Sequence, residues 1–150
     1  LHDALPIYGA TISVAIHDGL FDLQLRQRGM LRALRAAELS DGTLRFLLWA
    51  AALLSPQPPS LMVINEPETS LHPDLVAPLA SLIRTTAAKT QAVVVTHSRS
   101  LLDFLDAVPV TEADAAEDRA IELELYKDWG ETRISGQTLM TTPRWEWGSR

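Results

Sequence analysis

The 150-residue chain contains no cysteine. Disulfides, cysteine nucleophiles and thiolate metal sites are thereby excluded together, and the composition suits a cytoplasmic protein. Lysine is nearly absent as well: Lys89 and Lys127 are the whole complement. Lys89 precedes Thr90 but has no glycine close upstream, and Lys127 precedes Asp128. No G-x-x-x-x-G-K-[ST] loop exists to cradle phosphates, nor a G-x-G-x-x-G turn for a dinucleotide. There is no basic excess either. The formal net charge is -6, whereas a chain that holds nucleic acid on its own surface usually carries a basic stripe. The longest apolar run, Phe46 to Leu54, falls far short of the ~18 residues a membrane span requires, so no membrane partner is expected. No secretory signal opens the chain.

A packed core is still within reach. Hydrophobic residues make up 47% of the chain and charged residues 21%, ordinary values for one globular domain. Residues 1–7 stand apart. Asp3-Ala4-Leu5-Pro6-Ile7 is what the DNA string GACGCTCTTCCGATC encodes, and that string resembles a common sequencing adapter. The expectation is that residues 1–7 are not native and that an N-terminal region has been lost.

Ala10 to Ile16 and Leu20 to Leu25 alternate apolar with small or polar residues around His17-Asp18-Gly19. This predicts a β-hairpin. Between Arg26 and Arg35 lie four arginines. A basic patch and a solvated lead-in are both open, and the lack of aromatics for base stacking favours the lead-in. Residues 8–38 form this first segment.

Periodicity predicts a helix over Thr43 to Leu54, with Leu44, Leu47, Leu48 and Ala51 on one face and Phe46, Ala50 and Leu53 on others. The proline-rich stretch from Ser55 to Pro59 ends it. Leu61 to Ile64 and Ala92 to Val95 are short continuous apolar runs, as in parallel strands covered on both faces. Helices are predicted over Pro73 to Ala88 and from Ser98 to Leu105, the latter capped by Ser98 or Thr96. Strand, helix, strand, helix predicts a parallel α/β sheet. Residues 108–150 then change character: an acidic stretch (Thr111 to Arg119), a hairpin from Ile121 to Tyr126 and Thr132 to Ser135 turning at Asp128 to Gly130, and a tail with Trp145 and Trp147.

Three short segments carry candidate chemistry. Leu39-Ser40-Asp41-Gly42-Thr43 precedes a helix, and helix N-termini attract phosphate through unpaired N–H groups and the helix dipole. A plain N-cap on an Asp-Gly turn explains it equally well. Leu61 to Glu66 brings Asn65 and Glu66 to the C-terminal edge of a strand, where open parallel sheets bind ligands. A carboxylate there can take a proton from water, and an amide oxygen can orient hydrated Mg2+. Ala92 to Ser98 brings His97 to the same kind of edge, where it could contact a phosphate or simply be satisfied within a loop.

In this order and spacing, the three segments resemble the second half of an ABC-type ATPase, of the RecF-like and SMC-like group of "AAA family" ATPases found in many bacteria. By that resemblance LSDGT is the signature motif, LMVINEPE is Walker B with its catalytic Glu, Thr69-Ser70-Leu71-His72 is the D-loop, and VVVTHS is the switch-histidine motif. The resemblance runs from about Leu39 to Leu105. It implies a partial P-loop NTPase fold, α/β with parallel strands, flanking helices and hairpins at both ends, whose ATPase half spans residues 39–107. It implies ATP and Mg2+ as ligands and a homodimer, or a P-loop-bearing partner chain, as the working assembly.

Within that resemblance Glu66 is the general base and His97 the γ-phosphate contact. Ser40, Asp41 and Gly42 meet ATP held by the partner, while Ser70, Leu71 and His72 line the dimer interface. Asn65 stands where such proteins more often carry an Asp for Mg2+, which weakens metal affinity. Asp41 stands where many signatures have Gly, and is expected to point away or to hold the loop. Without its own Walker A the chain is not expected to act alone, and a sheet lacking the P-loop strand is expected to be prone to aggregation. The alternative reading is a non-catalytic module that supplies the signature motif in trans. DNA is an expected partner of the larger protein only. The resemblance leaves DNA repair, chromosome handling, antiphage defence and toxin activity equally open.

Overall fold

In a computed structural model describing residues 9–109 and 120–136, the two alternating segments pair as an antiparallel hairpin of β1 (Thr11–His17) and β2 (Leu20–Arg26). Asp18 and Gly19 close it with φ of 51° and 79°, the left-handed pair that a tight two-residue turn needs. Ile12, Val14 and Ile16 lie opposite Leu25, Leu23 and Phe21, so one face is wholly apolar. It is buried at Leu25 and exposed at Ile16 and Phe21.

The arginine segment is more ordered than a lead-in loop. Leu34–Arg35 forms β3 on the free edge of β2. Arg35 Nε lies 3.1 Å from Asp22 Oδ2, and Arg32 Nη2 lies 2.6 Å from Glu38 Oε1. Two of the arginines are therefore tied up in ion pairs, against the basic-patch reading.

Helix α1 covers Asp41–Leu53, starting two residues earlier than its periodicity suggested. The Ser40 hydroxyl accepts the Thr43 amide at 3.2 Å. This cap nucleates the helix ahead of its first apolar residue. The buried stripe is Phe46, Leu47, Ala50 and Leu53, whereas Leu48 is 71% exposed. Of the expected face of Leu44, Leu47, Leu48 and Ala51, only Leu47 lies in the core. The apolar residues encircle this helix, so period alone could not choose between faces.

Strand β4 (Leu61–Asn65) and strand β5 (Gln91–Val95) pair in parallel, Leu61 with Gln91 through Asn65 with Val95. The connection is a 3-10 turn at Pro73–Leu75 followed by α2 (Val76–Ala87), rather than one unbroken helix from Pro73. His72 Nδ1 accepts the Asp74 amide at 3.3 Å and so caps the turn. The face of α2 expected to be apolar is buried at Leu79, Leu82 and Ile83, beside Leu75 in the turn. Thr86 is buried among them, its hydroxyl 2.8 Å from Leu53 O and 2.9 Å from Leu82 O. That shared bond ties the last turn of α1 to α2.

One prediction about the sheet fails. Only one face of β4–β5 is covered: Ile64 is fully buried, but Val63 is 64% and Val95 46% exposed. Helix α3 (Arg99–Leu105) follows and buries Leu101 and Leu105. Ser98 Oγ accepts the Leu101 amide and Thr96 Oγ1 accepts the Ser98 amide, so both expected capping residues act, in sequence.

The chain divides into two compact units, Leu1–Leu105 and Asp106–Arg150. In the second, β6 (Val108–Pro109) runs parallel to β7 (Ile121–Glu122), and β8 (Leu125–Asp128) pairs antiparallel with β9 (Glu131–Ile134). The expected strand Ile121 to Tyr126 is interrupted, because its first residues pair with Val108–Pro109 instead. Trp129 and Gly130 make the turn with φ of 49° and 86°. The adapter-like residues 1–7, the acidic stretch Thr111 to Arg119 and the tryptophan tail lie outside the described residues. No helix among the described residues is long and apolar enough to cross a membrane.

Candidate active site

Two parallel strands paired in register end at the same level. Asn65 and Val95 form the last pair of the β4–β5 ladder. One more bond, from the Glu66 amide to Val95 O at 2.7 Å, carries the ladder into the loops. Glu66 and His97, far apart in sequence, then emerge side by side: His97 Nε2 lies 3.4 Å from Glu66 Oε1. The second Glu66 oxygen, Oε2, accepts the Thr69 hydroxyl at 3.3 Å.

Glu66 sits at φ 42° immediately before Pro67. A non-glycine residue in this left-handed region costs ~1–3 kcal/mol and persists only where its surroundings hold it. The fully buried Pro67 and the bond to Val95 O are what hold it here. His97 is 87% and Glu66 42% exposed. A pair so open to water contributes no more than ~1 kcal/mol, so His97 can readily exchange Glu66 for another acceptor.

The segment after Glu66 then crosses to the start of α1. Ser40, Asp41, Gly42 and Thr43 on one side, with Ser70, Leu71 and His72 on the other, line a cleft of about 610 Å³. The approach is close. A Cβ placed on Gly42 would sit 2.7 Å from Ser70 O, so no other residue fits there unless the backbone moves. Ser70 itself has φ 65°. Asp41 is the first residue of α1, where the helix dipole favours a carboxylate. Its place there accounts for an acidic residue in this loop without requiring it to meet a phosphate.

Every residue singled out from sequence therefore falls in one of two clusters: Glu66 and His97, with Asn65 adjoining, and Ser40 to Gly42 facing Ser70 to His72. Three further participants had been given no role of their own. Thr43 pairs with Ser40, the two hydroxyl oxygens 2.9 Å apart. Thr69 holds Glu66. Glu68 accepts the Thr96 hydroxyl. The Ser40/Thr43 spacing of a helix cap could have revealed Thr43; nothing in the pattern marks Glu68 beyond its being a second carboxylate in N-E-P-E.

Residues 8–103 match the family described as "AAA domain, putative AbiEii toxin, Type IV TA system". The chain belongs to this AAA-domain family. It is an ATPase-type nucleotide-binding module. A solved structure described as "Structural biochemistry of ATP-driven dimerization and DNA stimulated activation of SMC ATPases" superposes on this AAA-domain chain with a TM-score of 0.66 at 15% identity. The match covers 91% of this chain and 78% of that one, which shows the SMC-like P-loop fold. No curated protein sequence matches the chain.

Proposed function

We propose that this AAA-domain chain forms the distal half of a dimerising ABC-type ATPase that hydrolyses ATP across a subunit interface. The observation that carries the reading is the pairing of Glu66 with His97 at the sheet edge, 3.4 Å apart. At that spacing one side chain can reach the attacking water while the other reaches an oxygen of the same phosphate. Glu66 takes the proton of the attacking water. His97 leaves Glu66 for a γ-phosphate oxygen. The Ser40 hydroxyl and the N-terminal amides of α1, across from Ser70 to His72, receive the γ-phosphate of ATP bound to the partner. Asp41 and Gly42 shape that edge.

A Mg2+ ion would be held by the Asn65 amide oxygen together with water and phosphate oxygens, and would neutralise phosphate charge. Among the described residues no three His, Cys, Asp or Glu side chains converge on a metal position. Mg2+ held mainly by water and phosphate needs no such cage.

The phosphate cradle must come from a P-loop-bearing segment outside these 150 residues, in the same protein or in a partner chain. The half-open β4–β5 sheet supports this. Leu61, Val63, Val93 and Val95 are exposed, yet a strand pair this apolar belongs in a sheet covered on both faces. The working assembly is then a dimer in the cytoplasm. DNA-stimulated activation, described for the solved SMC ATPases, is the corresponding expectation for the assembled protein.

The test joins the chain to its P-loop-bearing segment. Glu66→Gln should slow ATP hydrolysis by about a hundredfold or more while ATP-driven association persists. Hydrolysis within twofold of wild type would remove Glu66 as the base. The cleft beside Gly42 separately favours the non-catalytic reading. It predicts that Ser40→Ala weakens the partner's activity while Glu66→Gln and His97→Ala do nothing.

A further inference from the structure

Two residues past Glu66, the Glu68 side chain reaches across to the loop after β5. Its Oε1 accepts the hydroxyl of Thr96. Its Oε2 is sealed from solvent with no hydrogen-bond partner. The Thr96 oxygen also accepts the Ser98 amide at 2.9 Å, and Ser98 Oγ accepts the Leu101 amide at 3.2 Å. The Thr96 hydroxyl thus accepts the Ser98 amide with a lone pair and donates its own proton to Glu68. A continuous run of bonds therefore leads from the loop after β4, through the loop after β5, into the first turn of α3.

We infer that Glu68 is a positioning residue: through Thr96 it clamps the two sheet-edge loops together and so sets His97 against Glu66. The geometry leaves few other candidates. Past the last strand pair, the described bonds between these loops are the Glu66 amide to Val95 O, the exposed Glu66–His97 pair and the Thr96–Glu68 bond. The first fixes backbone, and the second is too open to hold anything. The third joins part-buried side chains one residue from His97 and two from Glu66, and Pro67 lies buried between the two glutamates. Sealing a carboxylate oxygen without a partner is costly, so the bond to Thr96 is a contact the Glu68 side chain gains in return for its burial.

The clamp itself stands apart from the ATPase reading; only its effect on catalysis rests on that reading. The test has two arms. In the first, NMR of the whole chain follows the His97 imidazole resonances. Glu66→Gln should shift them in the wild-type background. That response should vanish in Glu68→Ala and in Thr96→Val, and survive in Glu68→Gln and Thr96→Ser, which keep the acceptor and the hydroxyl. The Phe46 and Leu79 resonances, deep in the core, should not move.

In the second arm, Glu68→Ala in the completed ATPase should lower kcat by about ten- to a hundredfold with KM within twofold, the mark of a misplaced group. Should Glu68→Ala fail to fold, Thr96→Val, which leaves the carboxylate in place, decides alone. A His97 response that persists with Thr96→Val in a folded chain overturns the clamp. A lost response, together with hydrolysis indifferent to Glu66→Gln, upholds the clamp and removes Glu66 as the base.

Discussion

Gly42→Ala isolates the contact between the start of α1 and the segment after Glu66. Helix propensity alone makes the substitution favourable: alanine exceeds glycine by ~1 kcal/mol inside a helix, and Gly42 is the second residue of α1. Packing opposes it. The new methyl would sit 2.7 Å from Ser70 O, and ordinary contact begins near 3.4 Å. The two backbones must therefore part by about 0.7 Å. The obstacle is a carbonyl in a left-handed turn, not the far end of a flexible side chain. Overpacking of this kind costs ~1–3 kcal/mol.

The two effects largely cancel in stability, leaving a net loss of ~0–2 kcal/mol. They do not cancel in function. A shift of that size in Ser70 alters the cleft and is passed along four residues to Glu66, and a misplacement of ~1 Å can cost about a hundredfold in rate. Urea unfolding of the chain and ATP hydrolysis by the completed ATPase should therefore diverge: a nearly unchanged midpoint beside a tenfold or greater fall in kcat. If Gly42→Ala raised stability by ~1 kcal/mol and left hydrolysis within twofold, the close approach would have no role, and propensity alone would describe the position.

Two further outcomes follow from interactions away from the cleft. Thr86→Val keeps the shape of the buried side chain but strips the hydroxyl bonded to Leu53 O, so urea unfolding should show a loss of ~1–3 kcal/mol. The hydrogen bonds from the Arg32 side chain and then from the Arg35 amide hold the Glu38 carboxyl down to about 2. A depressed carboxylate contributes stability above its unfolded value of ~4.3, and that contribution is lost as pH falls through about 2. Arg32→Ala should raise the midpoint of the Glu38 carboxyl titration, read by NMR, towards the ordinary range; an unmoved midpoint would show that the pair does not form in solution.

What could be read from sequence was whatever depends on local pattern or chain order. The first hairpin was legible because His17-Asp18-Gly19 separates two alternating runs. The meeting of Glu66 and His97 was legible because two apolar runs joined by a helix must lie parallel, which brings their C-terminal ends to one edge. Where two patterns compete, sequence is a poorer guide. The core face of α1 was legible only in part because Phe46, Leu48 and Trp49 make more than one stripe plausible, and only packing against α2 selects Phe46, Leu47, Ala50 and Leu53. The break at Leu123 depends on pairing with Val108–Pro109, which no local signal announces. Glu68 was invisible for a related reason: its partner Thr96 is in the loop after β5, and its chemistry lies in that pairing.

The close approach at Gly42 bears on how the two clusters work together. Glu66 and Ser70 both take left-handed φ, 42° and 65°, at opposite ends of one five-residue stretch. A segment with strained residues at both ends has little freedom to relax at one without moving the other, since each such residue is held by its surroundings rather than by its own preference. Ser70 is held by the helix capped at Ser40, and Glu66 by the β5 edge that presents His97. Occupation of the cleft by a partner's phosphate would therefore bear on Glu66 through a short and stiff connection, and a change at the sheet edge would bear equally on the cleft, because coupling between binding sites is reciprocal. In a symmetric dimer each chain would offer one cluster to its own nucleotide and the other to its partner's. The stretch from Glu66 to Ser70 would then be the route by which each site registers whether the other is filled.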